Sequence, residues 1–193
     1  MSERIENWEE QTFPLVEAAK ELKAADEAFG EMVAIGIHSF HEYERAWRDF
    51  LHCIERAWNK TCAEARGRKN WQRIESECEK LRKTDPLLRY LIHARNVSEH
   101  TIGPLIKEWD ANFRVTPIGD KVRFEWDEWD RPLLPVTDRG ALFNPPKEHL
   151  GKLWSHYRRR GVSEPRTAAE LAMKFYVGML NRVSAKVYPG GRA

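Results

Sequence analysis

Apolar residues recur every three or four positions along most of about the first 110 residues, which is the spacing of amphipathic α-helices. The clearest stripe runs from about His41 to Ala65. Its apolar members are Tyr43, Trp47, Phe50, Leu51, Ile54, Trp58 and Cys62. This stripe predicts one long helix whose apolar side packs against the rest of the protein.

Shorter helices are predicted on both sides of this one. After Pro14, the segment LVEAAKELKAADEAF predicts an amphipathic helix that ends near Gly30. Beyond Gly67, a further helix is predicted with four apolar residues on one side. These residues are Trp71, Ile74, Cys78 and Leu81.

The segment TDP at 84–86 predicts the start of the next helix, because Thr or Asp can cap a first turn and proline fits within it. This helix contains the sequence LLRYLIHARNVSEHT at 87–101 and is expected to end near the Gly-Pro pair at 103–104. At about 100° per residue, four polar side chains share one face and apolar residues centre on the opposite face. These four residues, the polar stripe, are Arg89, His93, Asn96 and His100.

Residues 112–138 follow a different pattern. The segments NFRVTPI and KVRFEWD alternate apolar with polar residues on either side of a Gly-Asp pair at 119–120. Alternation around a two-residue turn of this type predicts an antiparallel β-hairpin.

Helical patterns return at about 147–157 and again from near Ser163. In the final helix, Thr167 and Glu170 have the spacing of a capping box. The buried side of that helix is predicted to contain Leu171, Phe175, Met179 or Leu180, and Val183.

Length and composition favour one soluble domain. The chain has 193 residues, of which 41% are hydrophobic and 32% charged, and its formal net charge is +2. Such a balance gives no general case for nucleic-acid binding, which would need a local basic patch. We predict a single, mainly α domain over residues 1–193, a helical bundle with its core at about 1–110 and 146–188 and a small inserted antiparallel β-hairpin at about 112–138.

Several features predict a cytoplasmic protein. The three cysteines contain no C-x-x-C pair, which is typical of reduced thiols in the cytosol. The first residues are too charged for a signal peptide, and no apolar run approaches the roughly 18 residues of a membrane helix. No membrane partner is therefore expected.

Familiar cofactor and catalytic motifs are missing from the sequence. It contains no glycine-rich phosphate loop, no G-x-S-x-G and no dinucleotide fingerprint. Two histidines near residue 40 have ligand spacing without an identifiable third ligand, so neither a metal nor another cofactor is expected. A basic run at Arg158, Arg159 and Arg160 could contact a nucleic-acid backbone, or it could form a solvated helix end.

The sequence ARNVSEH at 94–100 contains Arg95, then Asn96, then His100. This arrangement resembles the R-x4–6-H signature of the HEPN superfamily, including the polar residue directly after the arginine. The resemblance implies a helical bundle that dimerises, with the arginine and histidine of two protomers meeting across the interface. It also implies a metal-independent endoribonuclease of the toxin–antitoxin, phage-defence or RNA-processing type, although other members of the superfamily have lost activity.

A second pair, Arg45 and His52, also has the R-x6-H spacing. Ala46 follows that arginine, however, and the surrounding segment is an ordinary amphipathic helix. The pair at Arg95 and His100 is therefore the preferred match.

Metal-free cleavage of RNA needs an acid, a base and positive charge near the phosphorus. Histidine ordinarily titrates near neutral pH, so His100 is the candidate acid–base group. Arg95 would bind the phosphate and stabilise its developing charge. Asn96 would orient the imidazole or a phosphate oxygen.

Glu99, His93 and Arg89 are the predicted supporting residues, with Glu99 holding Arg95 in place. The same side chains also allow a purely structural interpretation. Arg95 lies about 140° from His100 on a straight helix, within the apolar flank. There it could form a partly buried ion pair with Glu99, while His93 and His100 remain ordinary surface residues. The corresponding function is a catalytically inactive helical dimer that serves as a binding or regulatory module. With either function, the expected partners are a second copy of the chain and an antitoxin or another protein, and RNA is the expected substrate of the ribonuclease.

Overall fold

A computed structural model describes most of the predicted helical core. The described residues are 13–35, 39–100, 105–106, 113–118, 121–126 and 165–189. The predicted helix at 147–157 and the basic run Arg158–Arg160 lie outside them.

The described part of the chain is mainly helical, as the sequence predicts. Its helices are α1 (Val16–Ile35), α2 (Phe40–Ala65), α3 (Trp71–Thr84), α4 (Pro86–His100) and α5 (Pro165–Val187). Two strands, β1 (Phe113–Ile118) and β2 (Lys121–Trp126), pair antiparallel with Phe113 opposite Trp126 and Ile118 opposite Lys121. The helices pack on one another around a common apolar core.

Helix α2 carries the predicted apolar stripe toward this core. Ser39 caps its first turn, where the hydroxyl accepts a hydrogen bond from the backbone N–H of Glu42 at 3.4 Å. Every member of the stripe is buried except Cys62, which is half-buried. The rings of Trp47 and Phe50 stack with their centroids 5.7 Å apart. The predicted long helix and its buried side are therefore confirmed.

Helix α1 continues through Gly30 to Ile35, so its predicted end near Gly30 is wrong. A glycine inside a helix costs only about 1 kcal/mol relative to alanine. Met32 follows within the same helix and is fully buried. Burial of one such side chain contributes about 1.5–3 kcal/mol, which exceeds the cost of the glycine.

The first turn of α1 is capped from another helix. The carboxylate of Glu64, near the end of α2, accepts hydrogen bonds from the backbone N–H groups of Glu17 at 3.1 Å and Ala18 at 3.0 Å. These N–H groups have no acceptor within their own helix. The start of α1 is thus tied to the end of α2.

Helix α3 buries Trp71, Ile74 and Cys78 as predicted, but Leu81 is 45% exposed and Arg82 is buried instead. The prediction for Leu81 is wrong because Arg82 finds partners inside the protein. A buried arginine is tolerated when its charge is paired and its N–H groups are hydrogen-bonded.

Helix α5 begins at Pro165 and is buried on most of its surface. The predicted capping box is wrong, because Thr167 and Glu170 lie inside the helix and are themselves buried. Glu170 instead pairs with Lys174 at 2.9 Å. The predicted buried side is confirmed, with Phe175 half-buried and the other members buried.

Candidate functional site

Helix α4 begins where the sequence predicts. The Oδ1 atom of Asp85 accepts a hydrogen bond from the backbone N–H of Leu88 at 3.1 Å, which makes Asp85 the cap of the first turn. The apolar side of the helix, which includes Leu87, Leu91 and Ala94, is buried. This packing fixes which face of α4 points outward.

The polar stripe lies on the outward face. Arg89, Asn96 and His100 are exposed, and His93 is half-buried. Among the described residues, neither histidine forms a hydrogen bond or an ion pair.

Arg95 forms the ion pair that the structural interpretation predicts. One terminal nitrogen of its guanidinium lies 2.6 Å from Oε1 of Glu99, and the two side chains are 27% and 36% exposed. The other terminal nitrogen donates to Oδ1 of Asn96 at 3.2 Å. Although Arg95 starts from the apolar flank, the contact with Asn96 brings its charge beside the polar stripe.

Both terminal nitrogens of Arg95 have polar partners, but its Nε atom has none among the described residues. This Nε atom is also buried. A buried donor without a partner costs about 1–3 kcal/mol, so this arginine is not held in an optimal structural ion pair.

The structure adds two residues to the site, His52 of α2 and Ser98 of α4. The hydroxyl of Ser98 donates to the backbone carbonyl of Arg95 at 2.6 Å. Nε2 of His52 lies 3.0 Å from the same hydroxyl oxygen. His52 therefore reaches the segment between Arg95 and His100 across 46 positions of sequence.

Burial, followed by the positive charge of Arg95, lowers the pKa of His52 below its ordinary value of 6.5. Arg56 acts in the same direction, whereas Glu99 and Asp49 raise this pKa. The net effect favours the neutral form of the His52 imidazole.

Arg48 of α2 holds the last turn of α4. Its guanidinium donates to the backbone carbonyl of Ser98 at 3.3 Å and pairs with Glu44 at 3.1 Å. A positive side chain is favourable at a helix C-terminus, where carbonyl groups lack partners within the helix. The buried carboxylate of Glu44 also accepts from the backbone N–H of Leu105.

Sequence reasoning found Arg95, Asn96, Glu99 and the polar stripe, because these residues lie on one helix. His52 has the R-x6-H spacing from Arg45, but this spacing alone does not identify it as a site residue. No local signal pointed to Ser98 or Arg48, whose roles depend on contacts between helices.

The cysteines are poor candidates for nucleophiles. Burial raises the pKa of Cys53 and Cys78, and it raises the pKa of Cys62 to about 12. A thiol that stays protonated at neutral pH reacts slowly.

Within the described ranges, no group of three His, Cys, Asp or Glu side chains is arranged to hold a metal ion. No helix in those ranges is both long enough and apolar enough to cross a membrane. Comparison with protein-family models, curated proteins and solved structures gives no match to this chain.

The arrangement offers two chemical capabilities. The guanidinium of Arg95 is partly exposed and can bind an anion such as a phosphate group. The imidazole of His52, which contacts the segment that begins at Arg95, can accept a proton.

Proposed function

We propose that this protein is a HEPN-like, metal-independent endoribonuclease of the toxin or defence type that acts as a homodimer. The hydrogen bond between Arg95 and Asn96 carries the proposal. It brings a positive charge beside the exposed stripe that also contains His100, one turn further along α4. In this proposal β1 and β2 belong to an insertion in a HEPN-like helical bundle.

The chemistry assigns a role to each residue. Arg95 binds the scissile phosphate and stabilises the extra negative charge of the phosphorane. His100 takes part in proton transfer, and Asn96 orients the imidazole or a phosphate oxygen. Glu99 holds Arg95 through their ion pair, while His93 and Arg89 extend the polar surface toward the second protomer.

Dimerisation fits the exposure of the polar stripe. His100 has no hydrogen-bonding partner in the described part of the chain, and the resemblance to HEPN proteins implies that two such segments meet. A second protomer would also cover the outward face of α4. RNA and an antitoxin or another protein are the proposed partners of this dimer.

Activity is tested with purified protein and a panel of structured and unstructured RNAs in excess chelator. We expect the wild type to cleave, and we expect Arg95→Ala and His100→Ala each to lower the rate by about 100-fold or more. His41→Ala is the matched control, because His41 is an exposed histidine at the start of α2. Equal cleavage by all four proteins would identify a contaminating nuclease, and no cleavage of any RNA by the wild type would refute the proposal.

The dimer is tested separately by light scattering coupled to size-exclusion chromatography. We expect twice the mass of the 22.7 kDa chain at micromolar concentration. A reversed charge in the stripe, Arg89→Glu, should weaken the dimer, whereas Lys83→Glu on α3 should not. A monomer at all concentrations would contradict a site formed by residues of two protomers.

The second candidate is a catalytically inactive helical dimer that serves as a binding or regulatory module. The ion pair between Arg95 and Glu99 favours it, because this contact needs no substrate to explain it. It predicts that Arg95→Ala lowers the melting temperature by several degrees, while His100→Ala changes neither stability nor partner binding. RNA cleavage that depends on His100 would exclude this candidate.

A further inference from the structure

The hydrogen bonds around His52 determine which of its ring nitrogens carries the proton. The single hydroxyl hydrogen of Ser98 is donated to the backbone carbonyl of Arg95, so the hydroxyl oxygen can only accept from His52. Nε2 of His52 is therefore the N–H donor. In the neutral ring, Nδ1 then carries the free lone pair and is the basic atom.

The charged groups that act on His52 come from two helices. Arg95 and Glu99 belong to α4, and Asp49 and Arg56 belong to α2 itself. His52 is half-buried, so its ring is neither sealed in the core nor fully solvated. A neutral imidazole close to a phosphate-binding arginine has the properties of a general base.

We propose that His52 is the general base of the ribonuclease site, an inference that rests on the proposed function. Nδ1 of His52 takes the proton from a ribose 2′-hydroxyl while Arg95 binds the neighbouring phosphate. The 2′-oxygen forms a bond to phosphorus, and the bond from phosphorus to the 5′-oxygen breaks. Protonated His100 donates its proton to that leaving oxygen. The products are a 2′,3′-cyclic phosphate and a 5′-hydroxyl, and proton exchange with water restores both histidines.

This assignment divides the two proton transfers between two different histidines. A site that used His100 alone would need the imidazole of each protomer for one cleavage event. With His52 as the base, the acid and the base have different environments. Burial and the Arg95 charge favour the neutral form of His52, whereas His100 is exposed on the polar stripe.

The decisive variant is His52→Gln. The amide nitrogen of glutamine can replace Nε2 as the donor to Ser98, but glutamine has no titratable lone pair at the position of Nδ1. We expect a loss of about 100-fold or more in kcat/KM, with an unchanged melting temperature and an unchanged dimer. We also expect the products to end in 2′,3′-cyclic phosphate. His41→Gln, at the exposed histidine of α2, is the matched control and should keep full activity.

The outcomes separate the inference from the function on which it rests. If the wild type and His52→Gln cleave equally while His100→Ala is inactive, His52 is not the base, although the protein is a ribonuclease. If the wild type cleaves no RNA, the proposed function fails and the role of His52 fails with it.

A second measurement applies even if His52→Gln does not fold. The pH–rate profile of the wild type should lose activity on the acid side with the pKa that NMR assigns to His52. If the loss of activity at low pH follows the pKa of another group, His52 is not the general base.

Discussion

At the scale of single residues, Arg82 connects three helices through one buried charge. From α3 it donates two hydrogen bonds to the carboxylate of Glu55 in α2, at 3.0 and 2.8 Å. It also donates to the hydroxyl of Tyr176 in α5, and its guanidinium lies 4.7 Å from the ring centre of Trp58. The partners of Arg82 explain why it replaces Leu81 on the buried side of α3.

Replacing Arg82 with methionine should destabilise the protein strongly. The carboxylate of Glu55 would remain largely buried without its partner, which typically costs about 3–5 kcal/mol. Urea unfolding followed by circular dichroism would measure this loss. The neighbouring variant Lys83→Met removes an exposed ion pair with Glu79 and should cost about 0.5 kcal/mol or less. Equal losses in the two variants would contradict a structural role for the buried pair.

His52 should make stability depend on pH. Because burial and Arg95 lower its folded-state pKa, the unfolded chain binds a proton more readily than the folded protein. The contribution is complete above the ordinary value of 6.5 and is lost as the pH falls from there to the lower folded-state value. We expect the free energy of unfolding to fall over this window more steeply in the wild type than in His52→Gln. Parallel curves for the two proteins would show that His52 is not perturbed.

At the scale of elements, two glycines have opposite requirements. Gly30 lies inside α1, and a Cβ at this position would meet no heavy atom of the described residues within 4 Å, apart from Gly30 itself, its chain neighbours and the adjoining helix backbone. Gly67 follows α2 and has a φ of +77°, in the left-handed region where L-residues with a side chain are strained.

The same substitution should therefore have opposite effects at the two positions. Gly30→Ala should raise the free energy of unfolding by about 0.5–1 kcal/mol, because alanine favours the helix and leaves the unfolded chain with less freedom. Gly67→Ala should lower it by roughly 1–2 kcal/mol. Thermal and urea unfolding of both variants would measure the difference. A stabilising effect at Gly67 would contradict the left-handed turn.

Much of the helical order can be predicted from sequence, because it depends on local spacing. The stripe on α2, the cap at Asp85 and the ion pair between Arg95 and Glu99 all lie within single helices. The errors occur where contacts between helices outweigh local preference. Met32 extends α1 beyond Gly30, and the partners of Arg82 bury that residue in place of Leu81 near the end of α3.

In the candidate site, too, features that depend on local spacing can be predicted, whereas features that depend on contacts between helices cannot. Side chains on α4 could be placed relative to one another from their spacing alone. His52 could not, because its hydrogen bond to Ser98 depends on how α2 and α4 pack. One sequence contains no direct measure of that packing.

At the scale of the whole molecule, α5 is the most enclosed of the described helices. Residues far apart in sequence converge on it. The hydroxyl of Tyr188, just after α5, donates to the backbone carbonyl of Glu64 at 2.7 Å, and the amide of Asn70 donates to the carbonyl of Lys186 at 3.2 Å. The last described helix thus completes the core built by the earlier ones.

Hydrogen exchange should reflect this position. We expect the backbone amides at 168–180 in α5 to exchange at least about tenfold more slowly than those of α3, which buries only one side. Mass spectrometry of deuterium uptake at neutral pH would compare the two helices. Similar rates would indicate that α5 opens independently of the core.

The cap that Glu64 provides for α1 has a consequence for folding. The first turn of α1 has its acceptor only once the end of α2 has come alongside it. A synthetic peptide of residues 13–35 would therefore begin with frayed backbone, whatever its helical preference. We expect α1 and α2 to fold together as one antiparallel helical hairpin. The carboxylate of Glu64 caps the first turn of α1 once the two helices have paired.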